Sequence, residues 1–119
     1  MTTQQLKERT FQFGVRIVKA VEALPKNESG KILGRQLLRA GTAVGANYRA
    51  AARGRSRADF VAKLGIVEEE CDESAYWMEL IVAVKLLKKA RLTELLKEAD
   101  ELLAIMVASI KAARRGRRT

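Results

Sequence analysis

Arginines crowd one short stretch of this chain. LLRAGTAVGANYRAAARGRS, residues 37 to 56, carries four of them among three glycines. A guanidinium presents a planar fork of donors that suits phosphate, and neutralising phosphates releases counterions from a polyanion. At about 100° per residue, Arg35, Arg39, Arg49 and Arg53 share a helix face within roughly 80° of one another. Arg55 and Arg57 extend that patch into the next turn. Lys111, Arg114, Arg115, Arg117 and Arg118 form a second basic group near the C-terminus. Such residues would contact RNA or DNA by charge and shape, because no aromatic residues interleave with them for base stacking and no reading motif is present. An ordinary solvated basic face is the plainer reading.

Other chemistries find less support. Glycine beside cations suggests a phosphate loop, yet neither G-x-x-x-x-G-K-[ST] nor G-x-G-x-x-G occurs, and no strand–helix unit is there to hold one. The acidic run Glu68, Glu69, Glu70, Asp72 and Glu73 suggests a metal site. A di-iron bundle, however, needs Glu-x-x-His pairs, and the chain has no histidine. A solvated or partner-facing acidic surface explains the run better than a carboxylate-only Mg²⁺ site, so no metal and no cofactor are expected. Without histidine, and with no serine or cysteine in a nucleophile setting, the chain does not read as an enzyme. Cys71 falls on an apolar helix face and is most simply core.

The glycines have a different explanation. On a helix, Gly34, Gly41, Gly45 and Ala52 fall within roughly 40° of one another and make a smooth line. Each mid-helix glycine costs on the order of 0.5–1 kcal/mol relative to alanine. Close approach of a neighbouring helix, with dense contact over the line, offsets that cost.

These residues must be carried by helices. Leu6, Thr10, Phe13, Ile17, Val21 and Leu24 recur at spacings of three and four and predict a first helix ended by Pro25. Ser29 is the expected N-cap of a second helix through Ile32, Leu37, Leu38, Val44 and Tyr48, stopping near Gly54. Ser56, with Asp59 three residues on as an imperfect capping box, opens a third. Its face is Phe60, Leu64, Val67, Cys71 and Met78, and it runs without a breaker to about Ala90. Thr93 is the expected cap of a fourth, with face Leu95, Ala99, Leu102, Met106 and Ile110. Short connections make neighbours antiparallel, so the expected fold is all-α, an up-down four-helix bundle over residues 1–113 with a basic, disordered tail at 114–119.

Composition agrees. The chain has 119 residues, 48% hydrophobic, with a single proline and six aromatics, which suits one helical domain rather than a sandwich or barrel. One cysteine and no evident secretory leader point to the cytoplasm. The longest uncharged apolar run, Leu102 to Ile110, is too short to span a bilayer, and no membrane partner is expected. Net charge is +9, with 12 Lys/Arg against 3 Asp/Glu in residues 1–57, 6 against 11 in 58–103, and 5 against 0 thereafter. A chain basic at both ends and acidic between could attract a polyanion or bind itself.

Two helices carry more apolar surface than one core needs. Phe11, Val15 and Val18 lie off the first stripe, and Ile66, Trp77, Leu80, Ile81 and Val84 lie off the third. A wide core stripe with tolerated exposure is one explanation. A second apolar face forming an oligomer interface, with Phe11, Val15, Ile66, Trp77, Leu80, Ile81 and Val84 on it, is the preferred one.

The run QLLRAGTAVGANYRAAARGRSRADFVAKLGIVEEECDESAYWMELI, preceded by RIVKAVEALP, resembles a bacterial four-helix bundle family encoded in intervening sequences of 23S ribosomal RNA genes. The resemblance covers roughly residues 11–90, with G-T-x-V-G-A-N followed by D-F and Y-W as its specific core. It implies an antiparallel bundle assembling into a ring-like homopentamer. A related family, the accessory proteins of diversity-generating retroelements, is basic and associates with a reverse transcriptase and with nucleic acid. The resemblance therefore implies RNA, DNA or a reverse transcriptase as partners, and it supplies no catalytic residues. Gly41, Gly45, Asn47, Asp59, Phe60, Tyr76 and Trp77 transfer as structural signature positions only. The basic tail is not part of the shared pattern.

Two functions follow as expectations. One is an oligomer that binds RNA or DNA through sequence-independent phosphate contacts. The other is an interaction scaffold whose arginines meet acidic surfaces on neighbouring subunits or a partner protein, with Arg49 or Arg53 facing Glu69 or Asp72.

Overall fold

The computed structural model describes residues 1–116. Four helices, α1 (Thr3–Glu22), α2 (Glu28–Ala52), α3 (Arg57–Ala83) and α4 (Lys89–Arg114), run up, down, up and down in a bundle 48 × 21 × 19 Å across. Each helix packs on its sequence neighbours, and α4 closes the ring against α1 along the sparsest of the four seams.

Side-chain caps start three of the helices. The Thr2 hydroxyl accepts from the Gln5 N–H while the Gln5 amide accepts from Thr2 N–H, a complete capping box. Asn27, rather than the expected Ser29, caps α2 by accepting from Gly30 N–H at 2.8 Å. Asparagine two residues earlier offers its carbonyl to the same orphan donors. Ser56 caps α3 by accepting from Asp59 N–H, and the Asp59 carboxylate reaches past the cap to Arg55 N–H, so the box is offset by one residue.

The α3–α4 boundary departs from expectation. Helix α3 stops at Ala83, not near Ala90, and the stop is a Schellman turn: Leu86 N–H donates to Ile81 O and Lys85 N–H to Val82 O. Lys85 takes the left-handed conformation, φ 62°, that glycine usually supplies. Leu86 packs on the core and holds the turn. Lys88 then caps α4 without a side-chain bond, and Thr93 lies within that helix, donating to Lys89 O.

Phe13, Ile17, Leu37, Val44, Leu64, Val67, Cys71, Met78, Leu102 and Met106 are wholly enclosed. Two polar residues share that interior. Thr10 and Ser74 satisfy their hydroxyls by donating to the carbonyls four residues back, Leu6 O and Glu70 O.

Helices α1 and α2 meet backbone to backbone. A Cβ at Gly45 would lie 3.1 Å from Thr10 O, and one at Gly41 would lie 2.6 Å from Ile17 Cγ1. Gly34 faces Leu24, and across the seam Gly14 of α1 faces Thr42. Ala52, further along the line, is half-buried.

Candidate nucleic-acid interface

Antiparallel order brings the start of α1, the end of α2, the start of α3 and the end of α4 to one end of the bundle. Lys7, Arg49, Arg53, Arg55, Arg57, Lys63, Lys111, Arg114 and Arg115 belong to this end, against only Glu8 and Asp59. Residues 49–57 and 111–115, far apart in the chain, meet here. The Arg57 guanidinium stands beside Gly116, where an added Cβ would be 3.7 Å from Arg57 Nη1. Lys63 is tied to Asp59 at 2.7 Å, while Arg49, Arg53, Arg55, Arg57, Lys111, Arg114 and Arg115 are exposed.

The middle of the bundle has the opposite sign. Glu68, Glu69, Glu70, Asp72 and Glu73 on α3 and Glu98, Asp100 and Glu101 on α4 form an acidic waist. Among the described residues, no three acidic or cysteine side chains converge on a metal-sized site. Two arginines answer this waist. Arg9 binds Glu98 and Glu101 across the α1–α4 seam, and hydrogen bonding to Glu98, opposed by burial, holds its guanidinium above the ordinary value. Arg39 binds Glu70 and Glu73 from α2 to α3.

The arginine stripe read from the sequence therefore divides into three. Arg49 and Arg53 stand at the basic end. Arg39 is occupied by α3 of its own chain, through Glu70 and Glu73. Arg35 is some 14 residues from Arg49 along the helix, about 21 Å at 1.5 Å per residue, and belongs to the opposite end. Arg117 and Arg118 lie outside the described residues. Arg114 is the last residue of α4 and Arg115 its C-cap.

The apolar residues expected off the core stripes also separate. Ile81 is wholly buried, so it belongs to the core and not to an interface. The long α3 helix turns this position inward just before its Schellman stop. Trp77 is half-buried against the core, stacked edge-on with Tyr76 at 5.0 Å and donating its indole N–H to Glu73. Leu80 is half-buried and Val84 exposed, beside Ile32 at the far end. Phe11 is 52% exposed, Val15 half-buried and Val18 37% exposed, and with Gly14, Gly45 and Arg49 they line a groove between α1 and α2. Ile66 and Tyr76 stand exposed on the outer face of α3.

Two features here carry no signal in the linear pattern. Tyr48 and Phe60, assigned to core stripes, also wall a cavity at the basic end. Arg9, unremarked in the helix pattern, pins the weakest seam. Its spacing from Glu98 along the chain carries no local signal.

The arrangement is a glycine-seamed four-helix bundle with a basic end and an acidic waist. Comparison with known proteins gives that class a family. The family model described as 23S rRNA-intervening sequence protein matches residues 2–108, and the chain belongs to that family. A solved structure with the same fold is a protein of unknown function from the S23 ribosomal protein family of Bacteroides thetaiotaomicron VPI-5482. It is 32% identical, superposes with a TM-score of 0.84, and the match covers 89% of this chain and 98% of that one. No curated protein matches the chain. Among the described residues, no helix is long and apolar enough to cross a membrane.

Proposed function

We propose that this protein is a non-enzymatic, oligomeric bundle that binds RNA or DNA through the phosphates. The observation that carries the reading is the basic end, where two stretches distant in sequence gather seven exposed cations, Arg49, Arg53, Arg55, Arg57, Lys111, Arg114 and Arg115. None of the seven has an ion-pair partner among the described residues. Cations left unpaired while an acidic waist lies on the same molecule are available to an external polyanion. Arg39 drops out of the contact set because its guanidinium is already engaged.

The test compares two sets of substitutions. Replacing Arg53, Arg55, Arg57 and Arg114 with glutamine should weaken binding and flatten its dependence on salt by about 3 in the log–log slope. Replacing Arg35 and Arg39 should leave affinity within about twofold. Binding by the four-residue variant equal to that of the unaltered chain would overturn the reading.

Self-association rests on a separate observation. The α1–α2 groove is apolar with Lys7 and Arg49 at one end, and the outer face of α3 presents Ile66 and Tyr76 beside Glu69 and Asp72. Groove and face are complementary in polarity and charge. Seating one in the other makes a head-to-tail contact, which closes into a ring if the rotation allows, in keeping with a homopentamer. In the alternative scaffold reading, this contact would pair Arg49 with Glu69 or Asp72 of a neighbour in place of nucleic acid. Phe11→Glu or Tyr76→Glu should reduce the mass seen by light scattering, and an oligomer unaffected by either places the interface elsewhere. An assembly that dissociates as salt rises assigns the arginines to assembly rather than to nucleic acid.

A further inference from the structure

A cavity of about 310 Å³ opens at the basic end, among the starts of α1 and α3 and the later turns of α2 and α4. Leu6, Leu64, Tyr48 and Phe60 give it an apolar and aromatic lining, and Thr3 and Ser109 add hydroxyl-bearing side chains. Met1 and Thr2 also line it. It is more enclosed than the α1–α2 groove. Its volume is at the lower end of the range for small-ligand sites, about 300–1,000 Å³.

We propose that this cavity accepts one unpaired nucleobase of a single-stranded RNA or DNA whose flanking phosphates lie on the basic end. The inference rests on the nucleic-acid reading above and adds a strand preference to it. A nucleobase is flat and apolar on its faces and carries donors and acceptors around its edge. Aromatic and leucine walls suit the faces. Hydroxyls suit the edge, since each donates and accepts and so tolerates any base. Tyr48 is only 4% exposed, and burial, opposed by a hydrogen bond with Thr3, pushes its phenol above the ordinary value. Cations that could hold the neighbouring phosphates lie close by in the chain, Arg57 three residues before Phe60 and Lys111 two after Ser109.

A duplex lacks this option. Its bases are stacked and paired, and one must be extruded before it can enter. The bundle should therefore hold single strands more tightly than its charge alone accounts for, with duplexes bound by the rim arginines only.

The test measures the full chain by fluorescence anisotropy with a short labelled single strand and with the duplex of the same length. Ser109→Leu fills the cavity, and Tyr48→Phe removes one hydroxyl while keeping the ring. Ser109→Leu should weaken single-strand binding on the order of tenfold and leave duplex binding within about twofold. Tyr48→Phe should weaken single-strand binding about threefold. Because Tyr48→Phe leaves packing intact, it carries the test should Ser109→Leu unfold by circular dichroism. The variant with glutamine at Arg53, Arg55, Arg57 and Arg114 should weaken both. If cavity variants leave single-strand binding unchanged, or weaken both ligands equally, while the four-arginine variant still weakens both, the cavity inference falls and phosphate binding stands. If the unaltered chain binds neither ligand, the parent reading falls. Adenosine monophosphate binding as tightly as the single strand would make a free nucleotide the occupant and overturn the strand assignment. Binding at least about a hundredfold weaker supports it, since a strand adds phosphate contacts.

Discussion

Arg9 grips Glu98 across the α1–α4 seam through two parallel hydrogen bonds, Nε to Oε2 and Nη2 to Oε1, each 2.7 Å long. The same Nη2 reaches Glu101 on the next turn of α4. The seam it spans is the one with least shared surface, so a charged clamp does there what apolar contact does at the other three. The Arg9 and Glu98 side chains are 23% and 15% exposed, removed from most of the water that would screen them. Arg9→Met should destabilise the bundle by about 1–3 kcal/mol, since it leaves Glu98 partly buried without its partner. Arg9→Met combined with Glu98→Leu should recover most of that loss. Urea unfolding of the two variants decides it, and equal stability of both single and double variants would show the clamp to be idle.

Glycines of the same type should respond with opposite signs. Gly41 has fully buried Ile17 where its Cβ would go, at 2.6 Å, and Ile17 has no free space to move into. Gly41→Ala should lose about 1–3 kcal/mol by overpacking. Gly65 on α3 has nothing within 4 Å of its added Cβ, so Gly65→Ala should gain about 0.5–1 kcal/mol from helix propensity. Thermal melts of the pair check both signs.

Lys85 sits at φ 62° in the turn that ends α3. A Cβ in the left-handed region costs about 1 kcal/mol, and glycine relieves it. Lys85→Gly should therefore raise the melting temperature, while Lys85→Val should lower it.

Cys71 is enclosed in the core, and its thiol is pushed up to about 12 by burial, aided by the negative charge of Glu70, Glu98, Asp72 and Glu68. The thiolate is the reactive form. At pH 8 the folded protein should resist a thiol reagent such as iodoacetamide, and label at the rate of global opening. Rapid labelling under native conditions would contradict the enclosed position.

Asp59 is held below its ordinary value of 3.8, first by Lys63 and then by the Arg55 N–H. A lowered carboxyl stabilises the folded state above the ordinary value, and that contribution drains away as pH falls through the lowered one. The start of α3 should then open preferentially in acid, read as faster exchange of the Arg55 amide. Asp59→Asn should remove this pH dependence.

The stripes of α1 and α4 were legible because a helix buries one face and leucine, isoleucine and phenylalanine mark it wherever it turns. The glycine line was legible for a similar reason, since Gly34, Gly41 and Gly45 recur at helical spacing. What failed were local stops without local signals. The run Val82 to Leu87 contains no glycine or proline, so nothing in it announces that Lys85 turns left-handed. Ile81 looked displaced from its stripe, since ideal periodicity drifts along 27 residues of α3.

By itself, then, the sequence determined four amphipathic helices, their antiparallel order and a basic chain with an acidic middle, all properties of spacing and composition. Only the tertiary structure decided which charges meet. Periodicity places a residue on a face, but the partner of Arg9 or Arg39 depends on how far one helix slides along another. That register is set by packing along each seam, as Gly41 and Gly45 seated on Ile17 and the Thr10 carbonyl set it between α1 and α2. The same packing put Tyr48, Phe60 and Ser109 around one cavity and left Arg53 and Arg57 at its end, a juxtaposition that no linear spacing expresses.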